Sequence, residues 1–446
     1  MNHLMPITEN STSRHLADKI QDFCRYDHDS CRWFQWDSSR WRLEKKDWVI
    51  EETRNACATL AAQDPMAAKN LGKSSTIKGV EFLARSDPRL AVTSDEFDRD
   101  PWLLGTPDGT VDLRTGETRE SLRDDLITKA TAVAPAPPGS VPERWLRFLD
   151  ESCSGDADQI DYLKRVAGYC LTGLTIEHKL FFVYGPGGNG KSVLLNTSTG
   201  ILGDYAVTAA MNTFTASRGD RHSADLAMLR GARLVTASET EEGQAWAESR
   251  IKQLTGGDPI SANFMRGNYF TYQPQFKLVI AGNHKPALRN VDDAARRRFH
   301  LVPFVVKPKQ VDKKLEQNLR DEWPAILRWM IDGCLDWQAD ESLGMPQSVR
   351  RETEGYFEDQ DIVGQWLDDC CEVDAMPIRE ATQTRCLSEK LFLSFSEFCR
   401  RAGEPEGTNK ALSAELMRRG FIKKRTSKGV DFVGIRIPHE QSGVEL

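Results

Sequence analysis

One stretch, Tyr184-Gly185-Pro186-Gly187-Gly188-Asn189-Gly190-Lys191-Ser192, constrains this chain more than any other. It carries the phosphate-loop spacing in full: Gly185, four residues, then Gly190-Lys191-Ser192. Before it, Leu180 to Val183 is an apolar run suited to a buried strand, and after it Val193, Leu194 and Leu195 open an apolar helix face. Glycines at 185, 187, 188 and 190 let the backbone curl until successive N–H groups face a phosphate. A helix starting near Lys191 adds its partial positive end. The pattern predicts a cradle for a nucleoside triphosphate running from Gly185 through Pro186, Gly187, Gly188, Asn189 and Gly190 to Val193. Within it Lys191 would reach the β- and γ-phosphates, and the Ser192 hydroxyl would take one place on Mg²⁺.

The α/β rhythm continues downstream. Arg233 to Ser238 reads as a short strand ending in Glu239-Thr240-Glu241-Glu242. Carboxylates at a strand end beside a phosphate loop can hold Mg²⁺ and polarise water, so Glu239 is the metal-side candidate and Glu241 or Glu242 the base. Phe276 to Ala281 reads as another strand, and Asn283 just beyond its tip could orient the attacking water or simply fill a turn. Arg296-Arg297-Arg298 cannot all lie on one helix face. At least one can project towards a neighbour's nucleotide as an arginine finger, the alternative being a solvated basic patch. Between these strands, two alternating runs flank Arg266-Gly267-Asn268 as a hairpin. Arg266, Asn268 and Tyr269 on that hairpin, with Lys252 just before it, suit a nucleic-acid backbone or base.

A net charge of −7 over 446 residues excludes a uniformly basic coat, so any nucleic-acid contact must be local. No apolar run approaches a membrane span, the N-terminus has no secretion-signal layout, and the expected location is the cytoplasm. Ten scattered cysteines without a Cys-x-x-Cys predict reduced thiols, and His222, His284 and His300 are too isolated for zinc. Arg32 to Trp41 predicts an aromatic hairpin turning at Asp37-Ser38-Ser39, and residues 44–90 read as helices. The aromatics of that hairpin could stack bases, although packing onto a helix suits them better. Asp95 to Asp100 sits in turn-rich sequence, where acids cap turns, and predicts no polymerising site. The expected domains are an N-terminal one over 1–131, a Pro-rich linker over 132–142, the nucleotide-binding core over 143–310, a helical segment over 311–384, and a last domain over 385–446. In the last, two helices and a basic β-hairpin with Arg418, Arg419, Lys423, Lys424, Arg425 and Lys428 have the layout of a winged helix, which docks DNA or protein.

With these motifs in place, the chain resembles the superfamily 3 helicase portion of phage and plasmid primase–helicases, the group related to the poxvirus primase–helicase. The strongest stretches are Phe181 to Ser192, Arg233 to Gly243, Ile251 to Pro259, Phe276 to Pro286 and Asp292 to Phe304. The resemblance implies an AAA+-like P-loop NTPase core. Glu239 and its following acids would form the second motif, Asn283 the polar sensor, and Arg297 or Arg298 a finger acting in trans. It further implies an ATP- and Mg²⁺-dependent hexamer moving on single-stranded DNA in a bacterial host cell. Family members often carry a primase domain upstream, and in departure from that pattern any primase is here expected as a separate protein or missing. An ATP-dependent origin binder or helicase loader without unwinding is the alternative.

Overall fold

Five parallel strands form the centre of the larger part of the molecule, side by side in the order Phe299–Pro303, Leu180–Tyr184, Lys277–Gly282, Leu234–Ala237, Ala206–Thr208. Leu180, Phe181, Phe182 and Val183 are each at most 1% exposed, as a sheet covered on both faces requires. Two of the five strands were not apparent from sequence. Ala206–Thr208 is only three residues long, and the apolar run of Phe299–Pro303 is hidden behind the arginines that precede it. The computed structural model describes residues 7–216, 224–238, 243–264, 268–288, 292–308, 312–379, 384–427 and 429–438. The chain divides into two units: residues up to Pro286 together with Arg297–Arg350, and Ala287–Arg296 together with Arg351 onward.

Helices cover the sheet of the larger unit. Glu143–Ser152 and Ala157–Leu171 form the helical lead-in, Lys191–Leu202 follows the glycine loop, and Trp323–Asp340 packs across Ala157–Leu171. The last two helices meet backbone to backbone. A Cβ on Gly168 would stand 2.1 Å from the Cys334 nitrogen, and one on Gly333 would stand 2.1 Å from the Lys164 carbonyl oxygen, so only glycine fits at this crossing. Trp145, Phe148, Tyr162, Leu195 and Met330 share the resulting apolar core with the sheet. The Pro-rich stretch 132–142 has no regular structure. Its backbone bonds to the core, with Ala132 N–H donating to Ile201 O (2.9 Å) and Ala136 N–H to Pro324 O (2.8 Å).

Two buried cations clasp the end of the lead-in. The Arg233 guanidinium, 1% exposed, donates to Leu171 O (2.6 Å) and Leu103 O (2.7 Å) and lies over the Tyr205 ring. Beside it the Lys277 ammonium donates to the carbonyls of Thr172, Leu174 and Gln275, and burial lowers it to about 7. Both cations sit where a helix leaves carbonyls unpaired, with its partial negative end facing them. Arg233→Leu should therefore destabilise the protein by about 3 kcal/mol, because two buried carbonyls lose charged donors. A denaturant midpoint measurement checks this.

The N-terminal residues pack around a four-stranded sheet, Trp41–Leu43, Arg32–Trp36, Cys24–Asp27 and Ala91–Val92, against helices Glu9–Ile20, Trp48–Gln63 and Ser74–Ala84. The expected hairpin turns where Asp37 Oδ1 accepts from Ser39 N–H (2.9 Å) and Arg40 N–H (2.9 Å). Its aromatics are used for packing. Trp41 is fully buried and donates to Arg123 O (2.9 Å), Trp33 donates to Glu81 (2.6 Å), and Phe34 lies 4.6 Å from Phe97. The acids of 95–100 hold turns: Asp98 accepts from Thr128 N–H (2.9 Å), and Asp100 accepts from Trp102 N–H (2.9 Å) and pairs with Arg114. Beyond them Leu103–Thr106, Gly109–Asp112 and Glu117–Arg119 form a three-stranded meander.

In the smaller unit, helices Ile362–Cys370, Ser388–Ala402 and Asn409–Arg418 share a core with the sheet Arg385–Leu387, Gly429–Val433, Ile422–Thr426. The run 430–437 forms two strands. It breaks at Gly434, and Ile435–Arg436 turns away to pair with Glu372–Val373. On the basic hairpin Lys423 and Arg425 are exposed, whereas Arg418 and Arg419 both pair with Glu415. Lys428 lies outside the described residues.

Candidate functional site

Because the five strands are parallel, their C-terminal ends share one edge, where open α/β sheets bind ligands. The glycine loop leaves the strand Leu180–Tyr184 at that edge, and Lys191–Leu202 starts from it. Gly190 caps this helix with φ +89°, and a Cβ there would lie 2.6 Å from Phe148 on the lead-in helix, so glycine is required for both backbone and space. The first backbone bond of the helix runs from Leu194 N–H to Gly190 O (3.0 Å), leaving the N–H groups of its opening turn for an anion.

Lys191 is 8% exposed and turned into its own loop. Its ammonium donates to Gly185 O (2.6 Å), Pro186 O (3.0 Å) and Asn189 Oδ1 (2.9 Å), and burial lowers its pKa. Asn189 also donates through Nδ2 to Phe304 O. Ser192 is exposed at the helix start, and its hydroxyl makes no hydrogen bond among the described residues. Val193, the last of the expected cradle residues, is half-buried on the helix behind the loop.

Asn283 follows the strand Lys277–Gly282, whose Gly282 pairs in register with Tyr184, and it is exposed at the same edge. The strand Leu234–Ala237, next in the sheet, ends at this edge too. Glu239, Glu241 and Glu242 beyond it lie outside the described residues. Lys285 was not apparent from sequence. Its ammonium stands 4.2 Å over the Tyr184 ring, so a cation lies beside the root of the glycine loop. A basic residue two positions past the strand-tip amide is the signal that could have found it.

Arg297 and Arg298 are at the other end of the sheet. They precede the strand Phe299–Pro303, and their carbonyls accept from Lys179 Nζ (2.7 Å) and Leu180 N–H (2.7 Å) at the start of the glycine-loop strand. From there to Gly185 is five residues of extended chain, about 16 Å. Arg297 is exposed and Arg298 half-buried.

The expected hairpin pairs Ile260–Asn263 with Tyr269–Tyr272, and Ile260 and Ala262 are fully buried at its base. Near its tip Tyr269 is 75% exposed and Asn268 exposed, while Met265, Arg266 and Gly267 lie outside the described residues. Lys252 is half-buried on helix Glu248–Gly256. Phe264, also not singled out from sequence, is 52% exposed and stacked on Phe270 at 5.3 Å, with Arg230 over the Phe270 ring.

No group of three or more His, Cys, Asp or Glu among the described residues is arranged to hold a metal, and all ten cysteines are free thiols. Among the described residues no helix is long and apolar enough to cross a membrane.

Residues 13–154 match the family model described as D5 N terminal like, and residues 183–298 match a family of unknown function. The mimivirus of Acanthamoeba polyphaga has a protein named "Putative helicase L207/L206", 27% identical over 257 residues, covering 56% of this chain and 26% of that protein. Frog virus 3 has one named "Putative helicase 022R", 24% identical over 292 residues, covering 60% of this chain and 29% of that protein. The chain thus spans between a quarter and a third of the length of these relatives. Among solved structures, the apo C-terminal region of NrS-1 in its A form aligns over 97% of this chain and all of its own, with a TM-score of 0.54 at 11% identity. At that identity the likeness is one of fold. Together the matches show a stretch similar to the D5 N-terminal-like family and a similarity, over part of their length, to viral proteins named putative helicases.

Proposed function

We propose that the chain is the ATPase motor of a ring-shaped replicative DNA helicase of superfamily 3 type, built on an AAA+-like P-loop core. One observation carries this reading. The glycine loop and Asn283 share one edge of the sheet, whereas Arg297 and Arg298 sit about 16 Å away at the other. This separation supports the reading that a neighbouring copy, and not the same chain, supplies Arg297 or Arg298 to a nucleotide on the loop. That arrangement suits a closed ring, taken to be a hexamer, with ATP between subunits.

In this reading the loop amides and Lys191 bind the triphosphate, and Asn283 orients the attacking water. One of Glu239, Glu241 and Glu242 accepts its proton. Ser192, whose hydroxyl is exposed, and Glu239 would hold Mg²⁺, which when bound would neutralise phosphate charge. The partner's Arg297 or Arg298 stabilises the charge that builds up as the bond breaks. Tyr269, Asn268 and Arg266 on the hairpin grip single-stranded DNA by stacking and charge, with Lys252 behind them. The C-terminal helices and basic strands act as a winged-helix domain. The setting is replication of a phage, plasmid or related element in the cytoplasm of a bacterial host.

The test is strand displacement on a forked duplex with ATP, comparing the wild type with Arg266→Ala and Tyr269→Ala. Each variant should displace at least about tenfold more slowly, a loss in the range of one stacked base or one or two phosphate contacts. Wild-type rates from both variants would remove the hairpin from the mechanism. ATP-dependent DNA binding by the wild type without displacement would instead favour an origin binder or helicase loader.

A further inference from the structure

Asn189 is 2% exposed although Pro186, Gly187 and Gly188 beside it are open to solvent. A buried amide inside an exposed loop requires partners for both of its ends. It has them: Oδ1 accepts from Lys191 Nζ (2.9 Å), and Nδ2 donates to Phe304 O. Only one orientation of the amide satisfies an ammonium on one side and a carbonyl on the other. Phe304 is itself fixed, its N–H donating to Tyr184 O (2.6 Å) at the root of the loop. The phosphate-loop spacing asks nothing of position 189, so this network belongs to the particular side chain found there.

We infer that Asn189 is a positioning residue that holds Lys191 in a retracted place referenced to the sheet edge, and so sets both nucleotide affinity and turnover. The inference rests on the proposal that the loop binds ATP. Three acceptors, Gly185 O, Pro186 O and Asn189 Oδ1, take up the full donor capacity of the Lys191 ammonium. To reach a phosphate, Lys191 must give up at least one of them. Two are backbone atoms. The third is held still by Phe304, so it competes with the incoming phosphate and then remains to brace the loop while Lys191 works.

The competition and the bracing predict opposite signs. Asn189→Ala removes a competitor, so ATP should bind about three- to tenfold more tightly, the range of one hydrogen bond. It also removes the tie to Phe304, so kcat should fall about tenfold. Asn189→Asp puts a carboxylate against the ammonium and an acceptor against Phe304 O, so ATP should bind at least about tenfold more weakly. The experiment is fluorescent-ATP titration and steady-state hydrolysis on the full chain, with thermal melting as the control for folding. Asn189→Ser serves as a second, smaller substitution, expected to lower kcat like Ala.

A merely structural role would weaken binding in all three variants. That outcome, or unchanged affinity and kcat in Ala and Ser, overturns the inference while the wild type still binds and hydrolyses ATP. A wild type that binds no nucleotide would instead remove the functional proposal on which the inference stands.

Discussion

Lys191→Ala should cost roughly a thousandfold or more in ATP hydrolysis, the range for removing a preorganised charge from a developing phosphoryl anion. The side chain is committed to its own loop, donating to Gly185 O (2.6 Å) and Asn189 Oδ1 (2.9 Å). Its loss should therefore leave the apolar core undisturbed. It also relieves the cost of burying an ammonium, so stability should change by no more than about 1 kcal/mol. Phosphate release and thermal melting on the same preparation separate the two effects. A variant that melts like the wild type yet releases no phosphate matches the expectation. Hydrolysis within a few-fold of wild type would mean that the loop is not where the triphosphate is cleaved.

The second large effect concerns Arg297 and Arg298. Changing the finger among them to Ala should lower hydrolysis about a thousandfold, as loss of an arginine finger does. The geometry adds a stricter expectation. Arg298 O is bonded to Leu180 N–H, five residues upstream of Gly185, so on the proposed reading the arginines and the loop of one chain would serve different nucleotides. Mixing Lys191→Ala with the inactive arginine variant should then restore activity. In a randomly assembled ring, about one interface in four joins an intact loop to an intact arginine. Recovery towards that fraction supports action between subunits, and no recovery at any ratio would count against it.

The glycine loop could be read directly, because a turn that presents N–H groups to a phosphate leaves little freedom in spacing or in glycine content. Three of the five core strands followed from their apolar runs. Ala206–Thr208 and Phe299–Pro303 did not, since one is too short and the other lies against charged residues, and both are specified by pairing with distant strands. Sheet order is a tertiary property. It brings Asn283 beside Tyr184 and sends Arg297 and Arg298 to the far edge, and periodicity along the chain carries neither fact. Arg233 shows the same limit: an arginine at the start of an apolar strand reads as a boundary, yet it is buried against the Tyr205 ring and bonded to Leu171 and Leu103.

Unwinding tests most directly whether ATP cleavage at this loop drives movement along DNA. Purified protein, ATP, Mg²⁺ and a forked duplex should give displaced strand at a rate that Lys191→Ala abolishes, together with hydrolysis stimulated by single-stranded DNA. ATP hydrolysis that single-stranded DNA leaves unchanged, with the fork still annealed, would contradict that coupling.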